Sequence, residues 1–411
     1  MSGPEGPVPA PGLRARVWRA VREGNSVVVT LLAMFASVIV GGVLISVSDK
    51  ATIAASKYFF SYPWDTFSAA WHATSRAYLA LFEGAIFNPS SLATGSISTI
   101  LYPLSETIVN ATPLILAGLS VGIAFRAGLF NIGGQGQIIF GAVLAGYVGF
   151  AWHLPVGVHV LVAVLAGLVG GALWGGLAGW LKARTGAHEV ITTIMLNYVA
   201  YYALSFLLSV QGFQRPPYQQ AISNQVDANA RLPHLLGPDL RVHAGIFVAL
   251  AAAWVTWWLL ERSTIGFQLR AVGANPNAAR TAGMSVERSY FLVMLVAGGL
   301  AGLAGAMQIL GTNSAITQDI DAGIGFDGIT VALLGLGRPG GAVLAGLLFG
   351  ALRAGGVQMQ SRTGTPIDLV VVIQSLIVMF IAAPPLVRAI FRLRSRDRAG
   401  IGSELAKGWN G

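Results

Sequence analysis

The chain is built around apolar runs of about twenty residues that recur between Val27 and Val387. That is the length needed to cross the hydrocarbon core of a bilayer as a helix. In lipid the backbone of such a run must satisfy its own hydrogen bonds, which a helix does within one segment. Composition supports this reading. Hydrophobic residues make up 54% of the 411 positions, charged residues only 10%, and the mean hydropathy is +0.66. That is too little charge to cover a soluble protein of this size. The expected fold is an all-α polytopic membrane protein with about ten transmembrane helices. The spans fall at 27–47, 104–125, 130–152, 156–181, 190–210, 242–260, 290–310, a shorter 326–336, 341–359 and 369–387.

Charge sets the expected orientation. Eighteen of the 26 Lys and Arg residues fall in segments that alternate onto one side, and the positive-inside rule makes that side cytoplasmic. Both termini are then cytoplasmic. Residues 1–26 form a disordered basic N-terminus, with Pro and Gly first and then Arg14, Arg16, Arg19 and Arg22. The apolar run that follows is too long for a signal peptide and reads as a retained span. Residues 27–387 form the transmembrane domain, and 388–411 a basic tail. The loop 261–288 falls inside and the loop 211–241 outside. The net charge of +9 lies beside spans, so it marks topology rather than a nucleic-acid partner. The external segment 48–103 contains an aromatic stretch, 64–82, suited to a helix lying at the membrane interface. Among 52 glycines, Gly167, Gly171, Gly175 and Gly179 line one helix face, and Gly298–Gly302 and Gly346–Gly350 repeat the spacing. These are packing surfaces.

The longest polar run on the inner side is Gly266–Val286. It carries the signals of a short helix. Asn275 can cap the N-terminus, and Pro276 fits the first helical position. Ala278 and Ala279 favour helix, and Gly283 can end it. With Arg270 and Arg280 beside it, the segment reads either as a dock for a soluble partner or as an ordinary polar loop.

Three segments bring polar groups to apolar spans. In Phe130–Gln137, Asn131, Gln135 and Gln137 carry amides toward hydrocarbon, and three glycines loosen the backbone. Such groups either line a wet path for a neutral polar solute or tie helices together. In His188–Asn197, the residues Glu189, Thr193 and Asn197 share one helical face, with Glu189 in the first turn, where a negative charge is favoured. Phe326 and Asp327 open the short span, Asp327 as a cap or solute contact and Phe326 as an aromatic face for stacking. The Gly-rich entries Phe130–Gln137 and Gly323–Gly328 come from opposite faces, the pattern of an inverted-topology repeat whose broken helices meet. The entries GIGFDG and GLGRPG lack the context of a dinucleotide site. The sequence holds no P-loop, and its six His residues have no metal spacing.

The segments FRAGLFNIGGQGQ, HEVITTIMLNY and GFDGITVALLG resemble motifs of bacterial ABC importer permeases of the branched-chain amino acid and simple-sugar group, nucleoside permeases above all. Gly134, Gln135 and Thr330 depart from the family's usual Ala, Glu and Ala. The resemblance covers about 104–387. It implies a transport subunit rather than an enzyme, in the cytoplasmic membrane of a bacterium. It further implies a second related permease as heterodimer partner, a cytosolic ABC ATPase that uses the ATP, and an extracytoplasmic solute-binding lipoprotein. This chain would bind no cofactor. The ATPase would engage Arg270, Gly273, Asn275, Pro276, Ala279, Arg280 and Gly283. The solute, a nucleoside first and a sugar or branched-chain amino acid second, would pass Asn131, Gln135, Gln137, Glu189, Thr193, Asn197, Phe326 and Asp327. A stand-alone secondary transporter is the rival reading, and Arg353 its one mid-span charge. On this reading Asn131→Ala or Asn197→Ala slows uptake without preventing assembly.

Overall fold

A computed structural model describes residues 26–392; the remainder of the basic termini falls outside the described residues. The described residues form helices, with isolated backbone bridges but no strand. The main ones are α1 (Ser26–Ser48), α2 (Pro63–Ala85), α3 (Ile97–Arg126), α4 (Gly134–Ala151), α5 (Val158–Thr185), α6 (Glu189–Leu207) and α7 (Gly245–Arg262). Then follow α8 (Thr264–Ala274), α9 (Pro276–Thr281), α10 (Val286–Met307), α11 (Ile324–Leu334), α12 (Pro339–Thr363), α13 (Asp368–Ala382) and α14 (Pro384–Ile390).

Among the described residues eight helices are long and apolar enough to cross a membrane, or nine if α13 and α14 count as one span bent by 95°. The bend has a local cause: α14 opens with Pro384 and Pro385, which lack the amides that would continue α13. The expected short span is α11, of 11 residues. At 1.5 Å per residue it is about 16 Å long, half the hydrocarbon thickness. The second expected span starts earlier than its apolar run, at Ile97, and keeps Pro103 and Pro113 inside the helix. The stretch 64–82 is helical within α2.

The chain forms two compact units. One combines residues up to Thr74 with those from Asp368, and its apolar core joins Val29, Ala33 and Ala36 of α1 to Phe380 and Val387. The other, Ser75–Ile367, contains every candidate site residue. Its centre is α3, buried almost continuously from Thr107 to Ala124. The glycine stripes do pack: Gly171 of α5 lies on the backbone of Gly298 and Gly302 of α10, so that any side chain there would overlap main-chain atoms. Glycine lets the two backbones touch, which is how membrane helices gain contact without a hydrophobic driving force. The outward faces of α6 and α7 stay largely apolar and exposed.

Candidate functional site

Two irregular segments interrupt the second unit. The first, 127–133, leads from α3 into α4, and the second, 314–323, leads from α10 into α11. They meet: a Cβ on Gly134 would sit 3.0 Å from the carbonyl oxygen of Gly325, and one on Gly325 would overlap the Gln135 backbone. Two helix N-termini are thereby pressed together, so their positive dipole ends converge.

The amides of the first segment are heavily engaged. Asn131 Nδ2 donates to Gln137 Oε1 at 3.0 Å and to Ser120 Oγ at 3.3 Å. Gln137 Nε2 donates back to Asn131 Oδ1 at 3.0 Å, and the Gly133 amide donates to the same oxygen at 3.0 Å. Asn197 of α6 reaches across: its Nδ2 donates to Ile132 O at 2.9 Å and its Oδ1 accepts from the Gly136 amide at 2.9 Å. Asn131, Gln137 and Asn197 are all buried. They brace the broken start of α4, satisfying backbone groups that would otherwise be unpaired at depth. Thr193 is also buried, against Gly133, and donates to the Glu189 carbonyl at 2.7 Å. Glu189 pairs with Lys182 at 2.9 Å, tying the start of α6 to the end of α5.

The more open groups come from the second segment and from Gln135, which is only half-buried. Phe326 is 50% exposed. Asp327 accepts from Arg353 Nη2 of α12 at 2.7 Å, and the same nitrogen donates to Ala322 O at 3.0 Å. Arg353 is therefore paired, and it pins the turn that precedes α11. A residue absent from the sequence reading also appears here. Asp321 is buried, accepts from the Gly323 amide at 3.2 Å and hydrogen-bonds the Gln135 side chain. Its signal was a carboxylate two residues ahead of a Gly-rich helix entry.

Each segment is also tied outward. The loop between α6 and α7 holds the second: the Ser223 amide donates to Ile316 O at 2.9 Å, the Ile316 amide to Ser223 Oγ at 2.8 Å, and the Val226 amide to Ser314 O at 2.8 Å. At the end of that loop His243 is buried, with its Nδ1 accepting from the Gly245 amide at 3.2 Å. Burial, helped by the nearby charges of His234 and Arg241, pushes its pKa down to about 4. At the other end of α7, the polar run Gly266–Val286 folds as two helices rather than one. In α9, Asn275 Oδ1 accepts from the Ala278 amide at 3.0 Å, Pro276 occupies the first turn, and Gly283 takes a φ of +82° just beyond the end. Ala279 is buried against Val272 and Val286. The residues from Gly266 to Ala274, which carried no helix signal of their own in the sequence reading, belong to α8, capped by Ser263. Arg270 pairs with Glu261 at 2.7 Å and Arg280 with Glu287 at 3.1 Å. Gly273 of α8 lies on the backbone of Arg126–Gly128, where the first irregular segment begins.

A core of apolar spans, a full-length and a half-length helix whose N-termini meet, and a capped polar helix pair at one end are the parts of a membrane permease. The chain belongs to the family described as branched-chain amino acid transport system, permease component, which matches residues 104–382. It is thus a multi-pass cell-membrane permease of an ABC transport system, a transport component rather than an enzyme. It is 40% identical to the guanosine ABC transporter permease protein NupP of Bacillus subtilis over 71% of this chain and 84% of that one. It is 37% identical to the glucose ABC transporter permease protein TsgB13 of Haloferax volcanii (68% and 76%). It is 36% identical to the nucleoside ABC transporter permease protein NupB of Lactococcus lactis (68% and 79%). The same two bacteria each contribute a second similar permease, NupQ and NupC, both at 26% identity, so this is a kind of system with paired permeases. No solved structure matches the chain.

Proposed function

We propose that this permease imports a nucleoside, and that the solute passes the junction where the starts of α4 and α11 meet. One observation carries the reading most: the carboxylates of Glu189 and Asp327 are both ion-paired, while Phe326, next to Asp327 in the chain, stays half-exposed. A junction with an aromatic face and converging helix dipole ends, where Glu189 and Asp327 are ion-paired, suits a neutral solute with a flat base. The similarity to guanosine and nucleoside permeases supports the same choice. Asn131, Gln137, Asn197 and Thr193 then act mainly by holding the junction in shape, and Gln135 and Phe326 by touching solute.

The energy comes from a separate cytosolic ATPase, docked on α8 and α9 through Arg270, Gly273, Asn275, Pro276, Ala279, Arg280 and Gly283. A second permease completes the pathway, and an extracytoplasmic binding lipoprotein delivers solute to the 211–241 loop. The contact of Gly273 with Arg126–Gly128 supports this scheme, because it links the docking helices to the first half of the junction. The likeness to a glucose permease favours a sugar as the second reading. The test is uptake of radiolabelled guanosine, glucose and leucine by cells with and without this chain. The proposal expects loss of guanosine uptake alone. Loss of glucose uptake with guanosine unchanged would replace it with the sugar reading.

A further inference from the structure

An open groove of about 720 Å³ lies at the end of the bundle that carries α8, at the opposite end of α11 from the junction with α4. Its walls bring together residues far apart in sequence: Arg126 from the end of α3, Trp257, Glu261 and Arg262 from α7, Arg270 from α8, and Arg338 ahead of α12. Four guanidinium groups thus surround one carboxylate. Glu261 is shared by Arg270 at 2.7 Å and Arg126 at 3.6 Å. Arg262 lies over the Trp257 ring at 5.8 Å, and neither it nor Arg338 has an ion-pair partner among the described residues. The N-terminus of α12 enters the wall at Pro339–Gly341, which adds the positive end of a 25-residue helix. Next to this basic groove Leu119, Ile123, Leu260 and Ala342 pack closely behind Arg338 and Pro339, leaving a gap of only about 10 Å³, so the groove does not continue into the bundle. The outer face of α7 at this level exposes Trp254, Trp257 and Trp258, the residues that settle at a membrane surface.

We propose that this groove is a binding site for the headgroup of an anionic phospholipid of the same leaflet, with phosphate held by Arg262 and Arg338 and the acyl chains lying on the exposed face of α7 beside Trp254 and Trp258. Arginine forks match phosphate oxygens two at a time, and basic pockets between membrane helices take such headgroups. A soluble anion would use the basic groove but not the tryptophan rim. The lipid joins α7 to the start of α12 and lies against α8. The assignment depends on the chain being in a membrane and not on which solute it carries.

The test is native mass spectrometry of the purified full chain, and of the assembled transporter, after exchange into cardiolipin, phosphatidylglycerol or phosphatidylcholine. Wild type retains cardiolipin or phosphatidylglycerol over phosphatidylcholine. The Arg262→Gln/Arg338→Gln variant loses that preference by about tenfold or more, as expected for two charges withdrawn from a headgroup. Gly340→Asp provides a second variant. A Cβ there meets nothing within 4 Å, and an acid in the first turn of a helix is favoured, so the fold is preserved while a negative charge enters the groove. It too loses cardiolipin. Equal retention by wild type and both variants overturns the proposal. So does displacement of the lipid by millimolar inorganic phosphate, which would make this a soluble-anion site, or absence of lipid from the assembled transporter.

Discussion

At the scale of single residues, two kinds of group make different predictions. Asn197 ties Gly136 and Ile132 together, so Asn197→Ala strands a buried donor and a part-buried acceptor. Each stranded group costs about 1–3 kcal/mol, so the purified variant melts measurably lower in a thermal unfolding assay, and uptake falls as a consequence. Phe326 is half-exposed and braces little. Phe326→Ala keeps the wild-type melting temperature and raises the KM for guanosine about tenfold in initial-rate uptake, the scale of one lost base–aromatic stack. The sequence identified the amides correctly as groups that must be satisfied but left open whether solute or protein satisfies them. That choice depends on a neighbour 61 residues away for Gly136 and Asn197, which no local pattern encodes. Asp321 escaped notice for a similar reason: its partners are the Gly323 amide and Gln135, brought close only by the folded turn.

At the scale of elements, the polar segment after α7 matters most. The cap, the first-turn proline and the terminal glycine of α9 were legible because capping chemistry is local. The helix α8 was not, because its support is tertiary: Leu269 and Val272 are buried, and Gly273 is seated on the end of α3. A side chain at Gly273 would overlap the Arg126 carbonyl. In the reconstituted transporter Gly273→Leu therefore lowers the ratio of solute-stimulated to basal ATP hydrolysis toward one. Asn275→Ala removes only the cap of α9, about 1 kcal/mol, and has a smaller effect in the same assay. The half-length helix α11 and the bend before α14 were also partly hidden. Hydropathy reports that a segment is apolar, but not whether it crosses the bilayer in one straight piece.

At the scale of the whole molecule, stability and transport depend on different groups. His243 is neutral in the folded chain, its pKa pushed down to about 4 from the ordinary 6.5 by burial. The unfolded chain takes up the proton first, so the stabilisation is complete above pH 6.5 and is lost as pH falls toward 4. Melting curves between those limits should show wild type weakening with acid and His243→Asn weakening less. The central claim is that this chain forms part of a nucleoside pathway driven by ATP bound elsewhere. Its most direct test is accumulation of radiolabelled guanosine in proteoliposomes containing the chain, its partner permease, the ATPase and the binding protein. The account predicts accumulation that requires ATP and survives an ionophore that abolishes the proton gradient. Accumulation that continues without the ATPase and collapses with the gradient would contradict it.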